Sequence, residues 1–424
     1  MSLTQDRFSH RVGMLFLAGL IGLLSSDRLS ASDWPQFLGP SRNGTTTQSI
    51  STPWPAEGPK RLWKLPLGTG FSGPVVSQGQ VLILDRSQDQ ERLQALDLRT
   101  GKVVWTQQQP TAYVDRFGFD NGPRATPAAT PHQVVTFGAE GRLTCVQRSD
   151  GKLLWTVDAG RQLAADRGFF GAACSPLILG DRIFLNLGNT EGGGVAAFSL
   201  QTGKLLWKAT DHEAGYASPT PSSWKNASGE SEVLFFTREG LVIAQPDGKI
   251  RKQHPWRSRQ SASVNAASAL VNGNEIFLTS SYDTGAVLLR WKGEALETVW
   301  SNDESLSAHY ATPVESSGFI YGFHGRQESG PEFRCIEWAT GRVRWKVEGL
   351  GAGTVALAKN RLVLLLESGE ILVAEAQPES FQVVSRSQIL GRGTRAPFAL
   401  AQGSLVARDT RQLICLEVGP TGSF

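Results

Sequence analysis

The six histidines of this chain are His10, His132, His212, His254, His309 and His324. None forms an H-E-x-x-H or other ligand spacing, so no metal site is expected. The four cysteines, Cys145, Cys174, Cys335 and Cys415, are far apart and include no C-x-x-C pair. Gly68-Thr-Gly70-Phe-Ser-Gly73 matches G-x-G-x-x-G, but Pro74-Val-Val follows where a nucleotide-binding helix must begin. It therefore reads as a glycine-rich lead-in to a strand, and no catalytic residue is assigned. Chemistry of another kind lies in a series of irregular segments. One carries Tyr113, Asp115, Arg116, Phe117 and Arg124, and the next Arg161, Arg167, Phe169 and Phe170. Later ones carry His212 and Tyr216, Arg257 and Arg259, His309 and Tyr310, and Arg392 and Arg395. Guanidinium forks recognise carboxylates, and aromatic rings supply apolar anchors. The candidate binding face is thus Arg116, Arg124, Arg167, His212, Tyr216, His309, Tyr310 and Arg395, suited to a peptide or a small polar or anionic ligand.

The elements that position these segments repeat. Ala95-Leu-Asp-Leu-Arg-Thr-Gly101-Lys-Val-Val-Trp105 matches Cys145-Val-Gln-Arg-Ser-Asp-Gly151-Lys-Leu-Leu-Trp155 position by position. Ala197-Phe-Ser-Leu-Gln-Thr-Gly203-Lys-Leu-Leu-Trp207 and Cys335-Ile-Glu-Trp-Ala-Thr-Gly341-Arg-Val-Arg-Trp345 match too. Weaker copies surround Gly248, Gly293 with Trp300, Val373 and Cys415. The turn glycines 101, 151, 203, 248, 293 and 341 are spaced 50, 52, 45, 45 and 48 residues apart. Each period holds four short strands, with Thr-Gly or Asp-Gly closing the last hairpin.

Four strands in 40–50 residues make a propeller blade. The expectation is all-β: a single eight-bladed β-propeller of four-stranded antiparallel blades over 60–424. Lys60-Arg-Leu-Trp63 is an orphan tryptophan strand that completes the last blade and removes two free edges. Residues 33–59 form an N-terminal extension packed on the ring. Trp63, Trp105, Trp155, Trp207, Trp300 and Trp345 share one blade position and wedge between neighbouring blades. Gly101, Gly151, Gly203 and Gly341 are structural turn residues. Cys145, Cys335 and Cys415 share a buried third-strand position. Cys174 is placed on the first strand of the blade of Cys145, two strands away, so four free thiols are expected.

Composition narrows the partners. A net charge of +3 and 19% charged residues give no nucleic-acid signal. Arg7, His10 and Arg11 precede an apolar run from Val12 to Leu24, and Ser30-Ala31-Ser32 follows. Residues 1–32 therefore read as a signal peptide without a lipobox cysteine. No later run is long enough to span a bilayer, so an exported, periplasmic or extracellular monomer is expected.

The repeat resembles that of pyrroloquinoline-quinone (PQQ) type propellers, found in quinoprotein alcohol dehydrogenases and in BamB. The whole layout is similar to secreted PQQ-like propellers of planctomycete-type bacteria. The shared stretches are Trp34-Pro-Gln-Phe-Leu-Gly-Pro-Ser-Arg-Asn43-Gly44, Asn121–Pro127, Gly215–Pro219 and Pro255-Trp256. The resemblance implies one of two roles. The first is a non-catalytic, BamB-like propeller binding or scaffolding an envelope protein or ligand, without cofactor. The alternative is a PQQ-dependent alcohol or sugar oxidoreductase with Ca²⁺. The vicinal cysteine pair and calcium-loop spacing of those enzymes have no counterpart here, which favours the first.

Overall fold

The hairpins form where the repeat places them. On adjacent strands Ala95 faces Trp105, Cys145 faces Trp155, Ala197 faces Trp207 and Cys335 faces Trp345. Cys415 faces Trp63 in the same way, across a pairing that joins Arg61–Pro66 to Gln412–Glu417. The orphan strand thus closes the ring. The computed structural model describes residues 33–165 and 168–419, together with Ser2. The proposed signal peptide lies outside the described residues. Among the described residues eight sheets form, each built on four antiparallel strands, and one of them gains a fifth, parallel strand from the extension. Blade one comprises Val75–Ser77, Gln80–Ser87, Gln90–Asp97 and Val103–Pro110. The next six span 128–158, 177–209, 220–255, 270–302, 314–347 and 353–388. The eighth spans 399–417 and is completed by Arg61–Pro66.

Between blades, each repeat tryptophan docks on the following blade. The indole N–H of Trp63 donates to Leu98 O at 2.8 Å, Trp105 to Arg148 O at 2.8 Å, and Trp155 to Leu200 O at 3.0 Å. Trp207, Trp300 and Trp345 do the same to Pro246, Trp338 and Gln377. The ring lies over the next turn glycine. A β-carbon on Gly101, Gly151, Gly203 or Gly341 would approach Trp63, Trp105, Trp155 or Trp300 to 2.8, 2.4, 2.5 and 2.8 Å respectively. Two blades lack the tryptophan, with Lys252 and Ser385 at that register. At the second, Trp54 of the extension donates its backbone N–H to Ser385 Oγ at 3.0 Å and packs with the Val373–Leu405 cluster. The extension thereby supplies a tryptophan the repeat has lost.

A second belt runs round the inner strands. Gly73 N–H donates to Thr126 Oγ1, Thr126 N–H to Ser175 Oγ, and Ser175 N–H to Ser218 Oγ. Ser218 N–H continues to Ser268 Oγ and Ser268 N–H to Thr312 Oγ1. Blades one to six are thus stitched hydroxyl to amide around the axis, and buried amides that cannot reach a neighbouring strand are satisfied. Thr354 Oγ1 on blade seven is buried without a partner.

The extension crosses the axis. Trp34 exchanges backbone hydrogen bonds with Val76 at 2.8 and 2.9 Å, and Pro35 O accepts from Ala129 N. Arg42 is 1% exposed; its guanidinium donates to Pro176 O at 2.9 Å, Ser175 O at 3.1 Å and Gln36 Oε1 at 3.2 Å. Thr45–Thr46 then runs parallel to Gly353–Ala358 on blade seven. Asp33 accepts from Gln402 of blade eight and from Gln78 of blade one.

All four cysteines are free and buried, and burial pushes each thiol up to about 12. One placement is corrected. Cys174 precedes Leu177–Leu179 and belongs to the lead-in of blade three, not to the blade of Cys145. The two residues still share one interblade cluster.

Candidate functional site

The segments leading into the first strands converge on the axis and enclose a cavity of about 220 Å³. Most blades contribute through their lead-ins. Blade one gives Phe71, blade two Phe119 and Arg124, blade three Phe170 and Ser175, and blade four Tyr216 and Ser218. Val264, His309, Tyr310, Gln327 and Arg395 complete the wall, and Phe37 of the extension forms the floor. Behind Phe37 lies a small void of about 50 Å³ shared with Trp34, Leu38 and Thr354.

The aromatic side is a cluster of rings. Phe170 sits 5.4 Å from Phe117, 5.9 Å from Phe119 and 5.7 Å from Tyr216, centroid to centroid. Phe117 and Phe119 are 56% and 51% exposed, so the apolar wall continues to the outer rim. The Tyr216 hydroxyl accepts the N–H groups of Phe169 and Phe170 at 2.6 and 3.1 Å, pinning that loop. Burial pushes the Tyr216 phenol up to about 12.

The cationic side is not a free positive patch. Arg124 donates to Asp115 at 2.9 Å and stacks near Phe71, Tyr113 and Phe170, each 5.8 Å away. Asp115 also caps the N–H groups of Phe117, Phe119 and Asp120, so this pair shapes the rim. Arg395 Nε meets Glu367 at 3.1 Å, and the Tyr310 hydroxyl donates to the same carboxylate at 2.7 Å. Burial first, then the Glu367 charge, holds the Tyr310 phenol well above its ordinary value. Arg257 pairs with Glu239, Arg238 with Glu213 and Arg326 with Glu328. Of the arginines that suggested a basic face, Arg124, Arg257 and Arg395 are thus held in ion pairs.

Five of the eight candidate residues meet in the cavity: Arg124, Tyr216, His309, Tyr310 and Arg395. Arg116 is exposed on the rim and does not line it. His212 bonds Thr237 at 2.8 Å and Gln253 at 3.1 Å, between blades three and four and away from the cavity. Arg167 lies outside the described residues. Phe37, Phe71, Phe119, Ser175 and Ser218 were not singled out from the sequence. The recurring Ser-Pro and Thr-Pro lead-ins were a usable signal for the last two.

Two histidines here are kept neutral. His309 bonds Tyr282 through Nε2 at 2.9 Å and Gln327 through Nδ1 at 2.7 Å, and burial lowers its pKa. His324 Nδ1 accepts the Ser307 N–H at 3.1 Å, and burial, with Arg334 nearby, lowers it to about 4. Between about 4 and the ordinary 6.5 the unfolded chain binds a proton that the native chain does not. Native stability therefore falls as pH falls through that window. The expected share from His324, reduced for its partial exposure, is about 1–2 kcal/mol. Thermal melts between pH 7 and 4 should show a smaller loss in His324→Gln, which keeps an acceptor for Ser307.

A family model described as outer membrane protein assembly factor BamB matches residues 51–118 and 89–347. The chain belongs to this family. Among solved structures, this BamB-family propeller is similar to BamB from Moraxella catarrhalis, with a TM-score of 0.60 and 14% identity, over 84% of this chain and 97% of that one. It is also similar to a europium-containing methanol dehydrogenase, with a TM-score of 0.68 and 11% identity, over 91% and 90% of the two chains. At such identities the likeness is one of fold. By sequence, 28% identity over 188 residues links it to the quinone alcohol dehydrogenase subunit of Gluconobacter oxydans, covering 42% of this chain and 23% of that one. BamB of Shewanella oneidensis is 23% identical over 263 residues, 60% of this chain and 59% of that protein. The chain therefore spans under a quarter of that dehydrogenase subunit's length and about three-fifths of that BamB's.

A calcium-assisted quinone needs clustered oxygen donors and a carboxylate free to accept a proton. Among the described residues no three His, Cys, Asp or Glu side chains gather to hold a metal ion. The carboxylates nearest the cavity, Asp115 and Glu367, are each engaged by an arginine. The residue set does not fit that group.

Proposed function

We propose that this chain is an exported, non-catalytic propeller that holds a protein of the cell envelope at its loop face. The observation that carries the reading is the axial cavity, where lead-ins from most blades place apolar rings around a few polar groups and continue them onto an exposed rim. Aromatic anchors in a desolvated concavity are the usual seat of binding energy. The family's description in outer-membrane assembly supports an envelope setting. So does the charged-then-apolar order of residues 7–24. Among the described residues no helix is long and apolar enough to cross a membrane.

Photo-crosslinking residues placed at Phe117 or Phe119, and at Thr202 on the opposite face as a control, test this in cells. A discrete adduct with one envelope protein is expected from the loop face alone. Adducts of equal yield from both faces, or from neither, would overturn the reading.

A further inference from the structure

The polar groups of the axial cavity that remain uncommitted are donors. Arg395 spends only Nε on Glu367; its two terminal nitrogens have no hydrogen-bond partner among the described residues. Its guanidinium lies 5.6 Å from the Phe119 ring and 5.9 Å from Phe71, which fixes it at the cavity wall. The Tyr216 oxygen accepts two N–H groups and keeps its own proton to give. Ser175 and Ser218 accept backbone N–H groups in the hydroxyl belt, and each retains a proton as well. The carboxylates nearby, Asp115 and Glu367, are both already engaged. A cavity that offers donors amid phenyl rings is matched by a ligand with acceptor oxygens on an apolar body.

The floor limits its shape. Phe37 lines the cavity, and buried Arg42 fastens its strap to blade three. A chain end is the polypeptide segment that fills such a cavity without having to leave it again. The volume of about 220 Å³ takes one large side chain with its terminal group. Outside the mouth, Val114, Phe117 and Phe119 are 68%, 56% and 51% exposed. That apolar rim has no use for a small molecule already swallowed by the cavity, but suits the residues preceding a chain terminus.

We infer that the axial cavity captures the carboxyl terminus of a polypeptide whose last side chain is aromatic or long and apolar, with the carboxylate on Arg395 and the side chain among Phe71, Phe119 and Phe170. This deepens the proposed function and rests on it. A peptide end is a recurrent recognition target because its carboxylate combines charge with a fixed distance from the final side chain.

Fluorescence anisotropy on the full chain tests it with three probes. They are a labelled pentapeptide ending in phenylalanine with a free carboxylate, its carboxyl-terminal amide, and the same sequence extended by three residues. The free acid should bind about tenfold or more tighter than either other probe. Arg395→Gln, checked for an unchanged melting temperature, should erase that difference. Phe170→Ala, whose ring packs on Arg124 rather than on Arg395, should weaken all three while keeping the ratio. Equal binding of acid and amide, equal binding of the extended probe, or an unaltered ratio in Arg395→Gln would overturn the inference. So would a planar aromatic tricarboxylate binding where no peptide does. If the peptides fail while Phe117 still yields its adduct, only the terminus is wrong; if both fail, the proposed function falls too.

Discussion

Gly151→Val should lower the stability of the propeller by about 3–5 kcal/mol, the steepest single-residue loss expected outside the core strands. Two effects combine. Gly151 has φ +73°, where a β-branched side chain is strained, at a cost of about 1–2 kcal/mol or more. A β-carbon there would also lie 2.4 Å from Trp105 Cε3 and 2.7 Å from Cδ2. That ring cannot retreat, because its N–H is fixed to Arg148 O and its faces are buried between blades. Overpacking of this kind costs a further 1–3 kcal/mol or so. Trp105→Ala should lose about 3–5 kcal/mol by the opposite route, leaving a cavity. The two changes meet at one contact, so they should not add. Combined, Gly151→Ala and Trp105→Ala should recover about 1–2 kcal/mol relative to the sum, the part due to collision. Denaturation midpoints of the four proteins in the cycle measure it. Additive losses would mean the wedge and its glycine act independently.

This contact also explains what could be read from the sequence. A tryptophan and a glycine in fixed register recur because each blade must present one to its neighbour, so the pattern carries the fold. Cys145 and Ala197 face Trp155 and Trp207 at the shared third-strand position, which Leu288 takes opposite Trp300. The site is written differently. Arg395 and Tyr310 meet on Glu367, 57 residues from the tyrosine, and no periodicity relates them. Arginines counted along the lead-ins suggested a positive face, but Arg124, Arg257 and Arg395 are committed to carboxylates that their spacing does not reveal. The hydroxyl belt is a middle case. Ser-Pro and Thr-Pro repeat visibly, but only the ring arrangement turns each hydroxyl toward the next blade's amide. Trp34 to Gly44 was legible as a family stretch, while its path across the axis was not. That path is set by contacts such as Asp33 with Gln402, 369 residues apart.

The strap provides the second large effect. Arg42→Ala should cost about 2–4 kcal/mol and release residues 34–46 from the axis. Two opposing terms decide the size. Burial disfavours the cation strongly enough to bring its pKa down to about 9, with Cys174 offsetting part of this, so removing the charge relieves a desolvation cost. Against that, Ser175 O, Pro176 O and Gln36 Oε1 all lose a charged donor in a dry interior, where each unmet group costs about 1–3 kcal/mol. Three acceptors outweigh one relieved cation. Lysine should not rescue, because a single ammonium on a flexible stem cannot reproduce a planar fork bridging two successive carbonyls and an amide. Methionine should fall between alanine and the native residue, since it fills the volume without supplying a donor. Hydrogen exchange reads the result directly. The amides of Trp34 and Val76, which pair with each other, and of Leu357, which donates to Gly44 O, should lose protection in Arg42→Ala while the Trp105–Ala95 hairpin keeps it. Unchanged protection at Trp34 and Leu357 would mean the strap is held by its backbone pairing alone. The floor of the axial cavity would then owe nothing to the buried guanidinium.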